Sequence, residues 1–138
     1  MKFESAFFCD DVRQEANGKF IFIGVYGDDI ILNSFPTGMN LQMVLSARFE
    51  KAEPLEIEIE ARLSDKVALK GKIQANIVNA GLGFLPIPIP LVQIQAPGVL
   101  SVRLKMNDAK WREASTINLK AANPSSVSSP PIAPPPPS

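Results

Sequence analysis

The sequence has no histidine and only one cysteine, Cys9. Histidine is the commonest metal ligand and the side chain that titrates near neutral pH, so imidazole-based metal sites and imidazole acid–base catalysis are excluded. A single cysteine cannot form an internal disulfide, which fits a reducing compartment, and without histidine the thiol has no obvious base to activate it. We therefore interpret Cys9 as a small, buried, apolar side chain.

Net charge is also lacking, because 14 basic residues balance 14 acidic ones. With no overall field to attract polyanions or an anionic membrane surface, we expect neither nucleic-acid nor membrane binding. The longest apolar run, residues 80–92, contains three prolines and is too short to cross a bilayer. The start of the chain, Met1 to Glu4, has an acidic residue where a secretory signal peptide would be basic, and no uninterrupted apolar core follows it, so we expect a cytoplasmic protein.

Helical periodicity is missing as well, and strict alternation takes its place. Apolar residues occupy every second position in residues 39–49, 55–63 and 67–77, which is the period of a strand with one wet face. Short segments of this kind, separated by turn signals, predict an all-β fold. We expect a two-sheet antiparallel β-sandwich, immunoglobulin-like or C2-like, with about eight or nine strands. A closed β-barrel is the alternative.

The alternating segments also predict their own pairing. When the second and third segments are joined by a short loop, Ala61 faces Leu69 on the apolar side while Glu60 meets Lys70 on the wet side. The apolar and charged pairs agree on one register, and a slip of one residue would turn the apolar set outward. The same pairing applied to the first loop predicts a three-stranded antiparallel meander over residues 39–77, with odd-numbered side chains inside.

The sharpest local signal is the dipeptide Asn17-Gly18, which lies between two segments with strand character. Asn-Gly is well suited to a type I′ turn, in which both central residues have positive φ, so we predict a β-hairpin. This turn places Val12 opposite Ile23. Residues 19–26 carry apolar side chains on both faces, and such a strand is expected in the centre of a sheet.

The residues around this hairpin resemble a family of small bacterial proteins of unknown function. The similar residues are Cys9-Asp10-Asp11-Val12-Arg13, Glu15, Gly18-Lys19 and Ile23-Gly24-Val25-Tyr26, followed later by Pro97-Gly98 before an alternating strand. The resemblance covers roughly residues 2–120. It implies a bacterial or phage-borne cytoplasmic β-sandwich, and it brings no catalytic residues.

Two acidic pairs are the candidate metal ligands. They are Asp10, Asp11, Asp28 and Asp29. If the hairpin brings residue 10 beside Val25, the four carboxylates lie at one end of the sandwich, where oxygen ligands could hold Ca²⁺ or another small ligand. The alternative is structural, with the first pair bound to Arg13 or capping backbone N–H groups and the second pair forming a turn. We also expect a bulge or break at the first pair, because adjacent charges fit poorly into a buried strand.

Prolines alternate in a later extended segment, at positions 86, 88 and 90. Successive N–H groups of a strand point to opposite sides, so all three missing donors lie on one side, and the segment is predicted to be an edge strand or a polyproline-II-like rim. Exposed apolar rims often contact another protein. The candidate partner-binding residues are Phe84, Leu85, Ile87 and Ile89. The alternative is that these side chains close one end of the core.

Residues 123–138 hold seven of the thirteen prolines and no charged residue. Such a composition cannot form a core, so we predict a β-sandwich domain over residues 1–122 and a disordered Pro/Ser-rich tail over residues 123–138. The tail is interpreted as a flexible spacer rather than a docking motif.

Catalysis finds little support in the sequence. Paired carboxylates can hydrolyse glycosides, but one Trp and one Tyr offer little platform for a sugar. We predict a non-enzymatic binding module without a cofactor, which binds a protein partner or itself through an edge strand or rim. A calcium- or ligand-binding sandwich that uses the four aspartates is the alternative.

Overall fold

The computed structural model describes residues 1–107 and 109–122, and the predicted tail, residues 123–138, lies outside the described residues. In the described part all regular structure is β-strand, and nine strands form. The strands are β1 (Lys2–Gln14), β2 (Phe20–Val25), β3 (Asp29–Leu32), β4 (Thr37–Phe49), β5 (Glu53–Leu63), β6 (Lys66–Ile77), β7 (Gly81–Ile94), β8 (Gly98–Met106) and β9 (Arg112–Ala121). Over these residues no helix has the length and apolar character needed to cross a membrane.

The strands form two sheets that pack face to face. One sheet has the order β2-β1-β4-β7 and the other the order β3-β9-β8-β5-β6. Neighbouring strands are antiparallel except β3 and β9, which run parallel. The predicted two-sheet β-sandwich is confirmed, with one parallel pair added.

The core lies between the two sheets and follows the predicted period of two. The odd-numbered side chains of β4 and β5 supply much of it, namely Leu41, Met43, Leu45, Ala47, Phe49, Leu55, Ile57, Ile59 and Ala61, each at most 4% exposed. Burial of a Leu or Ile side chain of this kind stabilises a fold by about 1.5–3 kcal/mol relative to exposure. The alternation therefore identified the core-facing side of these strands correctly.

The predicted register between β5 and β6 is confirmed, since Ala61 pairs with Leu69 and Glu60 with Lys70. The predicted meander is wrong, because β4 pairs with β1 and β7 in the other sheet, while β5 lies between β6 and β8. The chain between Phe49 and Glu53 crosses from one sheet to the other. Two strands that each have one apolar face can meet across the core as well as side by side, so alternation alone does not distinguish the arrangements.

The hairpin between β1 and β2 forms, but its turn is not type I′. The N–H of Gly18 donates to the carbonyl oxygen of Glu15 (2.9 Å), and the N–H of Glu15 donates to that of Lys19 (2.8 Å). Gly18 is the loop residue with positive φ (90°), whereas Asn17 keeps negative φ and accepts a hydrogen bond from the Lys19 N–H (3.0 Å). These contacts describe a three-residue loop in which a type I turn is followed by a left-handed glycine.

The longer loop shifts the hairpin register by one residue, so Val12 pairs with Phe22 instead of Ile23. β2 is also at the edge of its sheet rather than in the centre. In the described part of the chain the face of β2 that carries Ile21, Ile23 and Val25 is also poorly covered, since these side chains are 41%, 41% and 56% exposed. Apolar side chains on both faces of a strand did not mean that both faces are covered.

β1 continues without a break through the first aspartate pair. Its ladder with β2 pairs Cys9 with Val25 and Asp11 with Ile23, but no pair forms between Asp10 and Gly24. Gly24 has a φ of 67°, in the left-handed region. The expected irregularity is thus a local disruption at this one position.

Candidate interaction surface

The proline-bearing strand β7 is the edge strand that the sequence predicts. Among the described residues its only ladder is with β4. Pro86, Pro88 and Pro90 are exposed, and the residues between them are buried. The three missing N–H groups therefore lie along the open side of the sheet, where they cannot pair with another strand.

The predicted partner-binding residues divide between the core and the surface. Ile87 and Ile89 are 1% and 0% exposed and belong to the core, which is the arrangement that we described as the alternative for these side chains. Leu85 is half-buried and packs against the same core. Phe84 is half-buried as well, but it alternates with the core-facing residues and lies on the outer face, the side of the sheet that points away from the core.

Phe84 belongs to a group of four phenylalanines, the aromatic cluster. The aromatic cluster consists of Phe7 (β1), Phe20 and Phe22 (β2) and Phe84 (β7). Ring centroids are 5.1 Å apart for Phe7 and Phe22, 5.3 Å for Phe22 and Phe84, and 5.9 Å for Phe20 and Phe84, all edge to face. Each such pair is worth about 0.5–1.5 kcal/mol beyond its buried area. Phe7 alternates with the core residue Phe8, which also places the cluster on the outer face.

The aromatic cluster joins the β1–β2 hairpin to β7. β1 pairs with β4 through residues 2–9 and with β2 through residues 9–14, so the part of β1 beside Phe22 extends beyond its ladder with β4. The rings of Phe20 and Phe22 nevertheless contact Phe84, so the hairpin curves over the outer face of the sheet. Beneath them Val44, which pairs with Phe7 and Pro86 on the neighbouring strands, is 0% exposed although it lies outside the main core. The outer face therefore has a small apolar layer of its own.

The outer face of the five-stranded sheet is different, because rows of opposite charge cover it. Glu60 is 3% exposed and contacts Arg62 (2.5 Å), Arg103 (3.1 Å) and Lys70 (3.7 Å). The hydrogen bond from Arg62 and the nearby cations hold the pKa of Glu60 below its usual range. Next along β5, Glu58 contacts lysines on both neighbouring strands. On the four-stranded sheet, by contrast, the described ion pairs are Arg48 with Glu4 and Arg13 with Asp11.

The first aspartate pair is engaged within its own hairpin. The hydroxyl of Tyr26 donates to Asp10. Asp11 accepts hydrogen bonds from the Val12 N–H (2.9 Å) and the Arg13 Nε (3.2 Å). These contacts are the structural alternative that we described for this pair.

The second pair lies at the start of β3 and ties that strand to β9. Asp29 accepts hydrogen bonds from Asn118 Nδ2 and Lys120 Nζ, both at 3.1 Å, and these bonds lower its pKa. The carbonyl oxygen of Asp28 accepts from the Asn118 N–H (2.9 Å). Over residues 1–107 and 109–122 no three acidic or cysteine side chains lie close enough together to hold a metal ion. The calcium site stays a prediction, which melting with and without excess Ca²⁺ would test.

Cys9 is fully buried, and its Sγ lies 3.5 Å from the carbonyl oxygen of Asp11. Burial raises the pKa of the thiol, which keeps it protonated and a poor nucleophile at neutral pH. Cys9 therefore has the surroundings of a packing residue.

Three members of the aromatic cluster, Phe7, Phe20 and Phe22, were not among the predicted site residues. The available signal was alternation, since Phe20 and Phe22 share one face of β2 and Phe84 shares a face of β7 with the prolines. What the sequence does not display is that these faces lie on one side of the same sheet. That information depends on strand order.

Comparison with known proteins adds a family but no activity. A model described as "Family of unknown function (DUF6941)" matches residues 4–119. A search of curated proteins found no match. Among solved structures, the chain is similar to one titled "Crystal Structure of beta-glucosidase from Listeria innocua in complex with gluconolactone", with 7% identity and a TM-score of 0.42. The similarity covers 86% of this chain and 16% of that one, so the chain spans about a sixth of the length of that protein.

Proposed function

The chain belongs to the DUF6941 family of unknown function, and on that premise we propose that it is a non-enzymatic protein-binding module that contacts its partner through the outer face of its four-stranded sheet. The contact surface is centred on the aromatic cluster and continues onto the prolines of β7. Its partner is a protein with an apolar, weakly charged surface.

The contrast between the two outer faces carries this proposal. On the five-stranded sheet, glutamates of β5 are neutralised by lysines and arginines of β6 and β8, so that face is well hydrated. The other face exposes Leu82 (48%) and Val92 (87%) near the prolines and the half-buried aromatic cluster. Aromatic side chains are enriched at protein interfaces, and exposed apolar patches mark interaction sites.

The chemistry of the ionisable groups supports a binding role rather than catalysis. Asp10, Asp11 and Asp29 each have a hydrogen-bond or ion-pair partner within the fold, and Cys9 is buried. A catalytic pair needs groups that face one cavity with pKa values suited to proton transfer. Among the described residues, Glu56 is the one acidic residue that lines the partly open depression of about 500 Å³ at the ends of β5 and β6.

Two further parts of the proposal extend beyond the domain itself. We place the module in the bacterial cytoplasm, in keeping with the cysteine usage and the resemblance described above. We also assign the Pro/Ser-rich residues 123–138 the role of a tether that links the module to its surroundings.

Site-specific crosslinking tests which face binds the partner. A photoreactive amino acid is introduced at Pro88, on the proposed surface, and separately at Gln74, an exposed residue of β6 that serves as the matched control. In cells of the source organism we expect a discrete adduct at position 88 that disappears when Phe84→Ser is added, and no such adduct at position 74. The same adduct from both positions, or none from either, would contradict the proposal.

A further inference from the structure

We propose that β2 is a self-pairing edge, which joins a second copy of this chain in an antiparallel β2–β2 ladder about a two-fold axis at Ile21. The two four-stranded sheets then form one continuous eight-stranded sheet. The inference concerns the edge of the sheet and does not depend on the function proposed for its outer face.

β2 is the edge that lacks the usual protection. Sheet edges are protected by prolines, by lysines or by shortness, since an open edge otherwise pairs with another chain. β7 has its three prolines, β6 carries Lys66, Lys70 and Lys72, and β3 has only four residues. β2 has six residues, FIFIGV, with no proline and no charge.

The backbone of β2 has hydrogen-bonding groups that point to the open side. Glu15 and Lys19 form a hydrogen-bonded pair (2.8 Å), and in an antiparallel ladder such pairs alternate with non-hydrogen-bonded ones. The backbone groups of Ile21 and Ile23 therefore point toward β1, opposite Arg13 and Asp11. Those of Phe20 and Phe22 point away from β1, and in the described part of the chain β2 has no other neighbouring strand.

These outward groups select both the partner and the register. Phe20 and Phe22 are symmetric about Ile21, so two antiparallel copies can satisfy them together, with Phe20 of each copy opposite Phe22 of the other. Gly24 takes no part, because the regular alternation ends at its left-handed φ and the N–H of Tyr26 donates to the carbonyl oxygen of Phe8. In this register the two copies of Ile21, 41% exposed in the single chain, lie opposite and cover each other, and no like charges meet. A self-complementary edge of this kind is what a two-fold dimer requires.

The side chains on the two faces of β2 also suit this arrangement. The rings of Phe20 and Phe22 from the two copies then lie beside each other and extend the aromatic cluster across the new junction. Because six-residue strands bury little surface, we expect a weak, concentration-dependent dimer at the low end of the usual range, below about 1,200 Å² in total.

Sedimentation velocity over about a hundred-fold range of protein concentration tests the dimer by mass action. We expect the wild-type chain to shift from monomer to dimer, and Ile23→Lys to remain monomeric, since lysine on an edge opposes pairing. The matched control is Val67→Lys on β6, a similarly exposed residue (49%) of another edge strand, which should dimerise like the wild type. A wild-type chain that stays monomeric, or a control that loses the dimer to the same degree, overturns the proposal.

Disulfide trapping tests the register. In the proposed ladder, the two copies of position 21 form a non-hydrogen-bonded pair with Cα atoms about 4.5 Å apart, which a disulfide can bridge. Mild oxidation of the Ile21→Cys protein should therefore give a disulfide-linked dimer. Ile23→Cys, whose position lies opposite residue 19 in this register, should give much less. Equal yields from the two variants would overturn the register, and folding of each variant is checked by its melting curve.

Discussion

Glu60 is a carboxylate held almost out of water on a face that is otherwise wet. The charge is tolerated because Arg62, Arg103 and Lys70 surround it, and the ring of Trp111, 5.0 Å from the Arg103 guanidinium, covers one of these cations. Removing one member of a buried ionic group is costly, because the remaining charges lose their compensation. Glu60 therefore joins three strands of the five-stranded sheet at one point.

We predict that Glu60→Gln lowers the melting temperature by several degrees, because three cations then face each other without the carboxylate. Glu56→Gln is the control, since that carboxylate is 44% exposed and contacts Lys72 at 3.5 Å. Exposed pairs contribute little, so the control should melt close to the wild type. Thermal melts by circular dichroism make the comparison. Equal melting temperatures for the two variants would contradict this role of Glu60.

The depressed pKa of Glu60 also sets the pH at which this stabilisation acts. A carboxyl group whose pKa is lower in the folded state stabilises the fold above its unfolded pKa, and the contribution is lost as the pH falls through the folded value. The difference in melting temperature between wild type and Glu60→Gln should therefore be largest near neutral pH. It should shrink in the acid range.

Tyr26 gives the opposite pH dependence. Burial, followed by the hydrogen bond to Asp10, raises the pKa of Tyr26 to about 12. Between the normal tyrosine pKa of about 10 and the folded value, the unfolded chain loses the phenolic proton and the folded chain keeps it, so stability falls as the pH rises. We predict that Tyr26→Phe costs about 1 kcal/mol at neutral pH, discounted because the group is partly solvated, and that this cost shrinks above pH 10. Urea unfolding at a series of pH values measures it, and a cost that grows with pH would refute the prediction.

At the scale of elements, the β1–β2 hairpin depends on a conformation that glycine adopts more readily than other residues. Gly24 has a φ of 67°, and a Cβ at this position would overlap the carboxylate of Asp10, the acceptor for Tyr26. The position where the β1–β2 ladder is interrupted is thus also where β1 and the end of β2 are joined by a side-chain hydrogen bond.

We predict that Gly24→Ala lowers the free energy of unfolding by about 2 kcal/mol, through backbone strain and displacement of Asp10. Gly27→Ala is the matched control three residues away, because Gly27 does not have positive φ and nothing lies within 4 Å of its added Cβ. The control should unfold like the wild type in urea. A neutral Gly24→Ala would mean that the hairpin relaxes without cost.

Elements were predicted from the sequence where the signal is local. Alternation identified the strands and the core side of β4 and β5, and charge pairing added the register of β5 with β6. The predictions were wrong where two arrangements share one pattern, as for β4 and β5, or where loop length decides, as at Asn17-Gly18. The parallel pairing of β3 with β9 joins residues that are far apart in sequence, for example Ile30 and Leu119, and no local pattern indicates it.

Less of the candidate site than of the strands could be predicted, because a local sequence pattern does not show which strands are neighbours or which face meets the core. The proline edge follows from the spacing of residues 86, 88 and 90, because the direction of N–H groups is a property of one strand. That Phe84 lies on the outer face of β7 whereas Ile87 and Ile89 face the core can be predicted only when it is known which face of β7 meets the core. The aromatic cluster needs more, since Phe22 and Phe84 lie on strands that do not pair with each other and are far apart in sequence.

At the scale of the whole molecule, the sandwich has two unlike faces and unequal edges. The charged face of the five-stranded sheet keeps that side hydrated, and the apolar face of the other sheet collects aromatic rings. Prolines protect one edge of the apolar sheet, while β2, at the opposite edge, pairs only with β1 among the described strands. A contact through the outer face and a contact through β2 can thus coexist, because the first uses side chains above the sheet and the second uses backbone groups in its plane.

The domain boundary predicted from composition can be tested at the end of β9. The N–H of Ala122 donates to the carbonyl oxygen of Leu32 (2.9 Å), and this is the last described hydrogen bond between β3 and the end of β9. Leu119 of β9 is 1% exposed and lies in the core. We predict that deletion of residues 123–138 leaves the melting temperature unchanged, since a segment of that composition adds no core. Deletion from residue 118 onward is the comparison, and it should unfold the domain because it removes Leu119 and the partner of β3. A large loss of stability in the shorter deletion would show that the folded unit extends beyond residue 122.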